Sequence, residues 1–149
     1  MRFLSGACMF FCKKNYDFID GFDNNYFLYF EENDYCLRSK KFFKNYQINT
    51  IKVFHDAGNS VTSRNEDEVK DQRELRSWHF VWSKFYYYRK NYSFFFAIFF
   101  FIPIIIRTSF EIIYYLIIRD RINCLKYKNR FSGIISSIKG EKSHKRPKF

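Results

Sequence analysis

The sequence lacks the motifs that identify several function classes at once. Its four cysteines form no Cys-x-x-Cys pair, and no His stands at zinc-finger spacing from any two of them, which argues against a structural zinc site. It contains no glycine-rich loop that could cradle a phosphate. The short apolar stretch at the N-terminus is followed by Lys13 and Lys14 where a signal-peptide cleavage site would stand, so export is not expected. We therefore expect free thiols in a reducing cytoplasm.

Acidic residues are scarce in the second half of the chain. Residues 1–66 hold 9 Lys or Arg against 8 Asp or Glu, whereas residues 67–149 hold 17 against 7, so most of the net charge of +11 lies in the second half. Such a basic segment favours anionic partners, either phospholipid headgroups or nucleic acid phosphates. Aromatic residues make up 23% of the chain, but the general abundance of Phe, Tyr, Ile, Asn and Lys fits AT-rich coding. Aromatic content alone therefore indicates no stacking role.

No uninterrupted apolar run is long enough for a clean membrane span, which needs about 20 residues. Residues 93–106 are nearly all Phe and Ile, but Pro103 interrupts them, and Arg107 separates them from a second run at 112–118. Joining the runs would place Arg107 near mid-bilayer at a cost of roughly 2.5–3.5 kcal/mol. We predict two short helices in the plane of an anionic membrane surface. A membrane span and a buried helical hairpin are the alternatives. The basic residues around this block are Arg89, Lys90, Arg119, Arg121, Lys126, Lys128 and Arg130.

The first 64 residues alternate between strand-like and helix-like patterns. Residues 3–12 and 46–54 are apolar or β-branched and predict strands. Residues 31–44 predict a helix, because acidic residues open the segment and lysines close it. Asp34 and Arg38 lie four residues apart and can pair on that helix. These elements predict an α/β fold class.

A longer helix is predicted from Asn65 to about Lys90. Asn65 can cap its N-terminus, with Glu68 three residues on as in a capping box. Its apolar residues recur at spacings of three and four, which defines one buried stripe. We expect both tryptophans of this stripe in the core, and we expect residues 139–149 to form a disordered basic tail. The stripe consists of Leu75, Trp78, Trp82 and Phe85.

Two stretches of the first 60 residues carry a recognisable pattern. Residues 5–10 read Ser-Gly-Ala-Cys-Met-Phe, and residues 21–38 read Gly-Phe-Asp-Asn-Asn-Tyr-Phe-Leu-Tyr-Phe-Glu-Glu-Asn-Asp-Tyr-Cys-Leu-Arg. His55 and Ser60 follow later in the chain. Together these residues resemble the closing part of the catalytic domain of family 2 glycosyltransferases, notably rhamnosyltransferase-like members. Segments 76–79 and 82–86 also resemble the helical tails of these enzymes.

The resemblance implies part of a GT-A-type, Rossmann-like mixed sheet that carries out an inverting sugar transfer. An acceptor hydroxyl attacks the anomeric carbon while a nucleoside diphosphate leaves from the opposite face. A carboxylate must accept the hydroxyl proton, and a divalent cation, Mg²⁺ or Mn²⁺, would stabilise the leaving diphosphate. The position that supplies the base in the family is Glu32 here, where the family more often has Asp.

The resemblance also assigns the candidate site residues. Glu32 and Asp34 lie two residues apart, so on a regular helix they point to different faces. We therefore assign proton abstraction to Glu32 and a helix-holding role, through Arg38, to Asp34. The full candidate set is Glu32 and Asp34 as catalytic carboxylates, Gly6, Ala7 and Glu31 for substrate binding, and His55 as a metal ligand.

The resemblance divides the chain into three parts. Residues 1–64 match the C-terminal, acceptor-side part of a catalytic domain, residues 65–91 form an amphipathic helix, and residues 92–149 form an apolar helical segment with a basic tail. Family members carry a preceding nucleotide-binding half with an Asp-x-Asp-type motif, which does not occur before Ser5. We therefore expect a fragment that is inactive alone, with most of the metal site in a separate N-terminal half.

The expected partners are a nucleotide-sugar donor and a lipid-linked or polysaccharide acceptor. The expected location is the cytoplasmic face of the inner (plasma) membrane, peripheral or in-plane. A non-catalytic, membrane-associated basic subunit is the main alternative. A nucleic-acid-binding module is disfavoured, because the basic residues bracket one apolar block instead of alternating with aromatic residues.

Overall fold

The computed structural model describes residues 8–48, 50–54 and 66–146, and these ranges contain five α-helices and no strand. Three long helices pack against one another, and two short helices precede them. The short helices are α1 (Lys13–Phe18) and α2 (Glu31–Ser39), and the long ones are α3 (Glu66–Asn91), α4 (Phe94–Ile117) and α5 (Arg121–Lys139). Two or three residues connect the long helices, which is the usual length for antiparallel neighbours in a bundle.

The predicted α/β class is wrong, because no sheet forms within the described ranges. Residues 8–12 lead into α1 without a strand, and residues 46–48 and 50–54 carry neither helix nor strand. A strand requires a neighbouring strand to accept and donate its backbone hydrogen bonds. The β-branched residues of 46–54 favour an extended backbone locally, but a strand forms only when a second strand pairs with it. The large apolar side chains of this segment are exposed instead, namely Tyr46, Ile48, Ile51, Val53 and Phe54.

The core lies between the three long helices, and the tryptophan prediction is confirmed. Trp78 and Trp82 of α3 are almost fully buried and stack with ring centroids 6.3 Å apart. Gly133 of α5 lies so close to α3 that an added Cβ would stand 2.7 Å from the Trp78 carbonyl oxygen. A glycine is therefore required where these helices cross. The buried apolar cluster consists of Val81, Phe85, Ala97, Phe101 and Ile134.

The apolar block forms one continuous helix, so the prediction of two short helices is wrong. Ser93 caps α4 by accepting a hydrogen bond from the Phe96 amide at 3.1 Å. Pro103 lies inside the helix, although an internal proline costs about 3 kcal/mol. Phe101 before it and Thr108 after it are both buried. Packing on both sides of the proline therefore holds the segment in one piece.

The end of α2 and the residues after α5 also differ from the predictions. Helix α2 stops at Ser39 and not near residue 44, because Asn45 folds back and its amide donates to the Cys36 carbonyl at 2.9 Å. Residues 141–146 were expected to be disordered but pack against α3. Gly140 turns the chain there with a left-handed φ of 78°. His79 then binds the Lys145 carbonyl through Nε2 at 2.9 Å.

Candidate functional site

A buried carboxylate of α2 and a partly buried one in the preceding loop both bind the C-terminal end of α3. Asp34 is fully buried, and Lys90 Nζ lies 2.8 Å from it and 2.7 Å from Asp23. The predicted Asp34–Arg38 pair is confirmed at 2.9 Å, and the Asn91 amide donates a third hydrogen bond to Asp34 at 2.9 Å. Both carboxylate oxygens of Asp34 therefore accept hydrogen bonds from side chains of α2 or α3, which fits the helix-holding role assigned to Asp34.

Lys90 also controls the ionisation of its second partner. Burial raises the pKa of Asp23, but hydrogen bonds from Lys90, Asn25 and Tyr86 outweigh burial and hold that pKa at about 2. Asp23 is therefore ionised at any physiological pH. The loop that precedes α2 is consequently anchored by a permanent charge pair.

The backbone that enters α2 is strained. Tyr29 and Phe30 adopt left-handed φ values of 67° and 69°, which cost roughly 1–2 kcal/mol for each residue with a side chain. The Ser83 hydroxyl donates to the Leu28 carbonyl at 2.7 Å, and the rings of Tyr29 and Phe30 both contact Phe80. Strain of this kind persists where the surroundings fix it, and it is frequent at functional sites.

This strained turn places Glu32 at the edge of a cleft and not on the outer surface. The cleft has a volume of about 270 Å³ and is lined by Glu32 and Asn33 of α2 and by Phe80, Lys84 and Tyr88 of α3. Burial raises the pKa of the Glu32 carboxyl above its usual 4.5, and the negative charge of Glu31 adds to the effect. A carboxylate with a raised pKa is a better proton acceptor than an ordinary surface glutamate.

Two acceptor atoms beside Glu32 lack donors in the described part of the chain. Glu31 Oε2 and Asn33 Oδ1 are buried without a hydrogen-bond partner, while the Asn33 amide donates weakly to Glu32 at 3.3 Å. Buried acceptors are normally satisfied by protein, water or ligand donors. A ligand rich in hydroxyl groups could supply such donors.

The remaining predicted site residues fall elsewhere. Gly6, Ala7 and His55 lie outside the described residues, so their roles stay predictions. Among the residues that are described, no group of three or more His, Cys, Asp or Glu side chains is arranged to hold a metal ion. Asp23 and Asp34 are paired with Lys90 and Arg38, so their charges are already compensated within the protein.

One side of α4 is apolar and exposed along its whole length. Its members recur at spacings of four and three, which places them on one face of a helix. Phe101 and Thr108 lie on the opposite, buried face. In the described ranges α4 is also the only helix long and apolar enough to cross a membrane, a criterion of length and composition alone. We call this side the apolar face; it consists of Phe95, Phe99, Ile102, Ile106, Phe110, Ile113 and Ile117.

The sequence reasoning missed the contribution of α3 to the cleft. Lys84 stands 52 positions after Glu32 in the chain, and no spacing rule connects them. The sequence offered no signal that predicted a role for Lys84. Comparison with known proteins adds no further assignment, because no family model, no curated protein and no solved structure matches this chain.

Proposed function

We propose that this chain forms the acceptor side of an inverting glycosyltransferase and that Glu32 is its general base. The carboxylate of Glu32 removes the proton from an acceptor hydroxyl as the oxygen attacks the anomeric carbon of the donor sugar. The bond from that carbon to the diphosphate oxygen breaks, and the diphosphate leaves with the electron pair.

The observation that carries the proposal is the position of Glu32. It is half-buried at the start of α2, its pKa is raised, and it lines a cleft together with Asn33, whose Oδ1 is buried without a hydrogen-bond partner in the described part of the chain. An acidic residue that merely favours a helix N-terminus would point into solvent, and the helix dipole would lower its pKa. The proposal also draws on the resemblance of residues 21–38 to family 2 glycosyltransferases.

The exposed apolar face of α4 supports the choice of a lipid-linked acceptor. The apolar face of α4 is exposed on the side opposite its buried residues, so only part of the helix is available to lipid. The chain continues after α4 through Arg119 and Arg121, which are exposed and suited to anionic headgroups. We propose an in-plane position for α4, because a span would carry the charged helices packed against it into the bilayer.

A reconstituted transfer assay tests the proposal. The full chain is combined with a labelled nucleotide sugar, with membranes that contain lipid-linked saccharides and with a nucleotide-sugar-binding polypeptide added in trans. Glu32→Gln should lower turnover by about 10²–10⁴-fold while donor binding is retained. Asp17→Asn removes an exposed carboxylate of α1 and serves as the control. Equal turnover in Glu32→Gln and wild type would refute the proposal.

A non-catalytic, membrane-associated subunit is the second candidate, and the exposed apolar face of α4 is the observation that favours it. Such a subunit would bind anionic vesicles as the transferase would. It would differ in showing no dependence of sugar transfer on Glu32. The same variant therefore separates the two candidates.

A further inference from the structure

A second cavity lies between the three long helices and is strongly cationic. Its volume is about 360 Å³. Lys84 of α3, Arg107 of α4 and Arg130 of α5 all line it. Three helices thus direct one positive charge each toward the same space, and no acidic side chain is among the residues that line it.

The positive charge of this cavity is poorly compensated. In the part of the chain that the structure describes, Arg130 Nε is buried without a hydrogen-bond partner. Arg107 has one acidic neighbour, Glu111, at 3.7 Å. Burial and the charge of Arg130 together lower the pKa of Lys84. Lys84 and Arg130 are partly buried, whereas the Arg107 side chain remains 79% exposed. A partly buried cation is stabilised by an anion that accepts its hydrogen bonds.

The other walls of the cavity are apolar. Val81, Phe101, Pro103 and Ile104 line it beside the three cations. A free inorganic anion would leave this apolar surface uncovered, whereas an anionic group attached to a hydrocarbon chain would cover it. Ile104 and Pro103 belong to α4, the same helix whose apolar face is exposed. A lipid chain at that face could therefore reach the cavity from the membrane side.

The cavity also adjoins the cleft of Glu32. Phe80 and Lys84 line both spaces, so they form a shared wall between the cationic cavity and the candidate base. A molecule with a phosphate at one end and a hydroxyl at the other could occupy both. Such a molecule would place its phosphate beside Lys84 and Arg130 and its hydroxyl beside Glu32.

We propose that the cavity lined by Lys84, Arg107 and Arg130 binds the phosphate or diphosphate group of a lipid-linked acceptor. One part of this proposal rests on the proposed function: the group attached to the phosphate is a saccharide whose hydroxyl reaches Glu32. It adds a binding site that the sequence motifs do not contain. Lys84 would contact the acceptor in both spaces.

Vesicle binding by the full chain tests the site. Two kinds of phosphatidylcholine vesicle are compared. One contains a small fraction of a long-chain alkyl diphosphate, and the other contains enough phosphatidylglycerol to give the same surface charge. Bound protein is measured by co-sedimentation. Inorganic pyrophosphate is added as a soluble competitor. The variants are Arg130→Gln and Lys84→Met, and Lys128→Gln is the matched control because it removes an exposed charge from α5.

The expected result is selective binding of the alkyl diphosphate vesicles, which Arg130→Gln and Lys84→Met each weaken by about tenfold or more. Lys128→Gln should weaken binding to both kinds of vesicle by less than about twofold, in keeping with a solvated surface charge. Circular dichroism shows whether each variant keeps its helices. If Arg130→Gln loses them, Lys84→Met decides the matter.

Three outcomes would overturn the site. One is equal binding of both kinds of vesicle by the wild type, and another is an equal loss in the cavity variants and Lys128→Gln. The third is inorganic pyrophosphate binding as tight as that of the alkyl diphosphate, since the apolar walls would then contribute nothing. These measurements use no donor sugar. They can therefore fail while Glu32-dependent transfer stands, and Glu32→Gln should keep alkyl diphosphate binding even if transfer is lost.

Discussion

Replacing Lys90 by Met removes the cation that joins two carboxylates between α2 and α3. Lys90 Nζ lies 2.7 Å from Asp23 and 2.8 Å from Asp34, and the Asp34 side chain has no exposed surface. Breaking a buried ion pair by removing one partner costs about 3–5 kcal/mol, because a charge is left without compensation. Arg38 and Asn91 still bind Asp34, and Lys90 is partly exposed. We therefore expect a loss of about 2 kcal/mol in the free energy of unfolding.

The same variant should change the response to acid. The pKa of Asp23 in the folded protein, about 2, lies below its usual 3.8. Its contribution to stability is therefore complete above about pH 4 and is lost as the pH falls toward 2. Without Lys90 the pKa of Asp23 should rise toward its usual value. The difference in stability between wild type and Lys90→Met should then shrink between pH 4 and pH 2.

Urea unfolding followed by tryptophan fluorescence measures this effect, since Trp78 and Trp82 report on the core of α3. A loss of about 2 kcal/mol should lower the urea midpoint by about 1 M. Lys70→Met removes an exposed lysine from the same helix and is the control. Equal urea midpoints for the two variants would refute this reasoning, because they would show that water or other groups stabilise the charges of Asp23 and Asp34 as well as Lys90 does.

Three further predictions concern other parts of the fold. Burial lowers the pKa of His79 to about 4, so the free energy of unfolding should be highest above pH 6.5 and should fall by about 2 kcal/mol by pH 4. Urea unfolding at several pH values should show that the free energy of unfolding falls more steeply with decreasing pH in the wild type than in His79→Asn. Gly133→Ala should lower the free energy of unfolding by about 1–3 kcal/mol because its Cβ meets the Trp78 carbonyl, and a raised Tm would contradict this. Phe99→Glu should weaken binding to anionic vesicles by about tenfold without changing the Tm, whereas a lowered Tm would mean that Phe99 is packed in the protein.

Local periodicity predicted those elements whose partners lie within a few residues. The start of α2 follows from its acidic first turn, whereas the extent of α3, the Asp34–Arg38 pair and the buried tryptophans follow from spacings of three and four. The strand at 46–54 failed because strand formation depends on a distant second strand, which composition does not reveal. The candidate site shows the same difference. Glu32 could be predicted because it belongs to the contiguous stretch 21–38, whereas Lys84 comes from a distant helix and was missed.

Long-range contacts account for what the sequence did not reveal. The Lys90–Asp34 pair joins residues 56 positions apart, and no pattern in the chain marks Lys90 as a partner. The composition of residues 141–146 is that of a solvated basic tail, but the buried ring of His79 forms hydrogen bonds with them. Pro103 is a reliable helix breaker in isolation, but packing on either side of it decides the outcome.

The contact between the guanidinium of Arg146 and the ring of Phe27, 4.1 Å from its centroid, has a consequence for biosynthesis. The loop before α2 is held from one side by α3 and from the other by a residue that lies 119 positions after Phe27 in the chain (146 − 27). During translation the aromatic rings of this loop therefore remain without that contact until Arg146 has emerged. A chaperone that shields nascent aromatic segments would act in that interval, and arrested chains that stop before Arg146 should bind it longest.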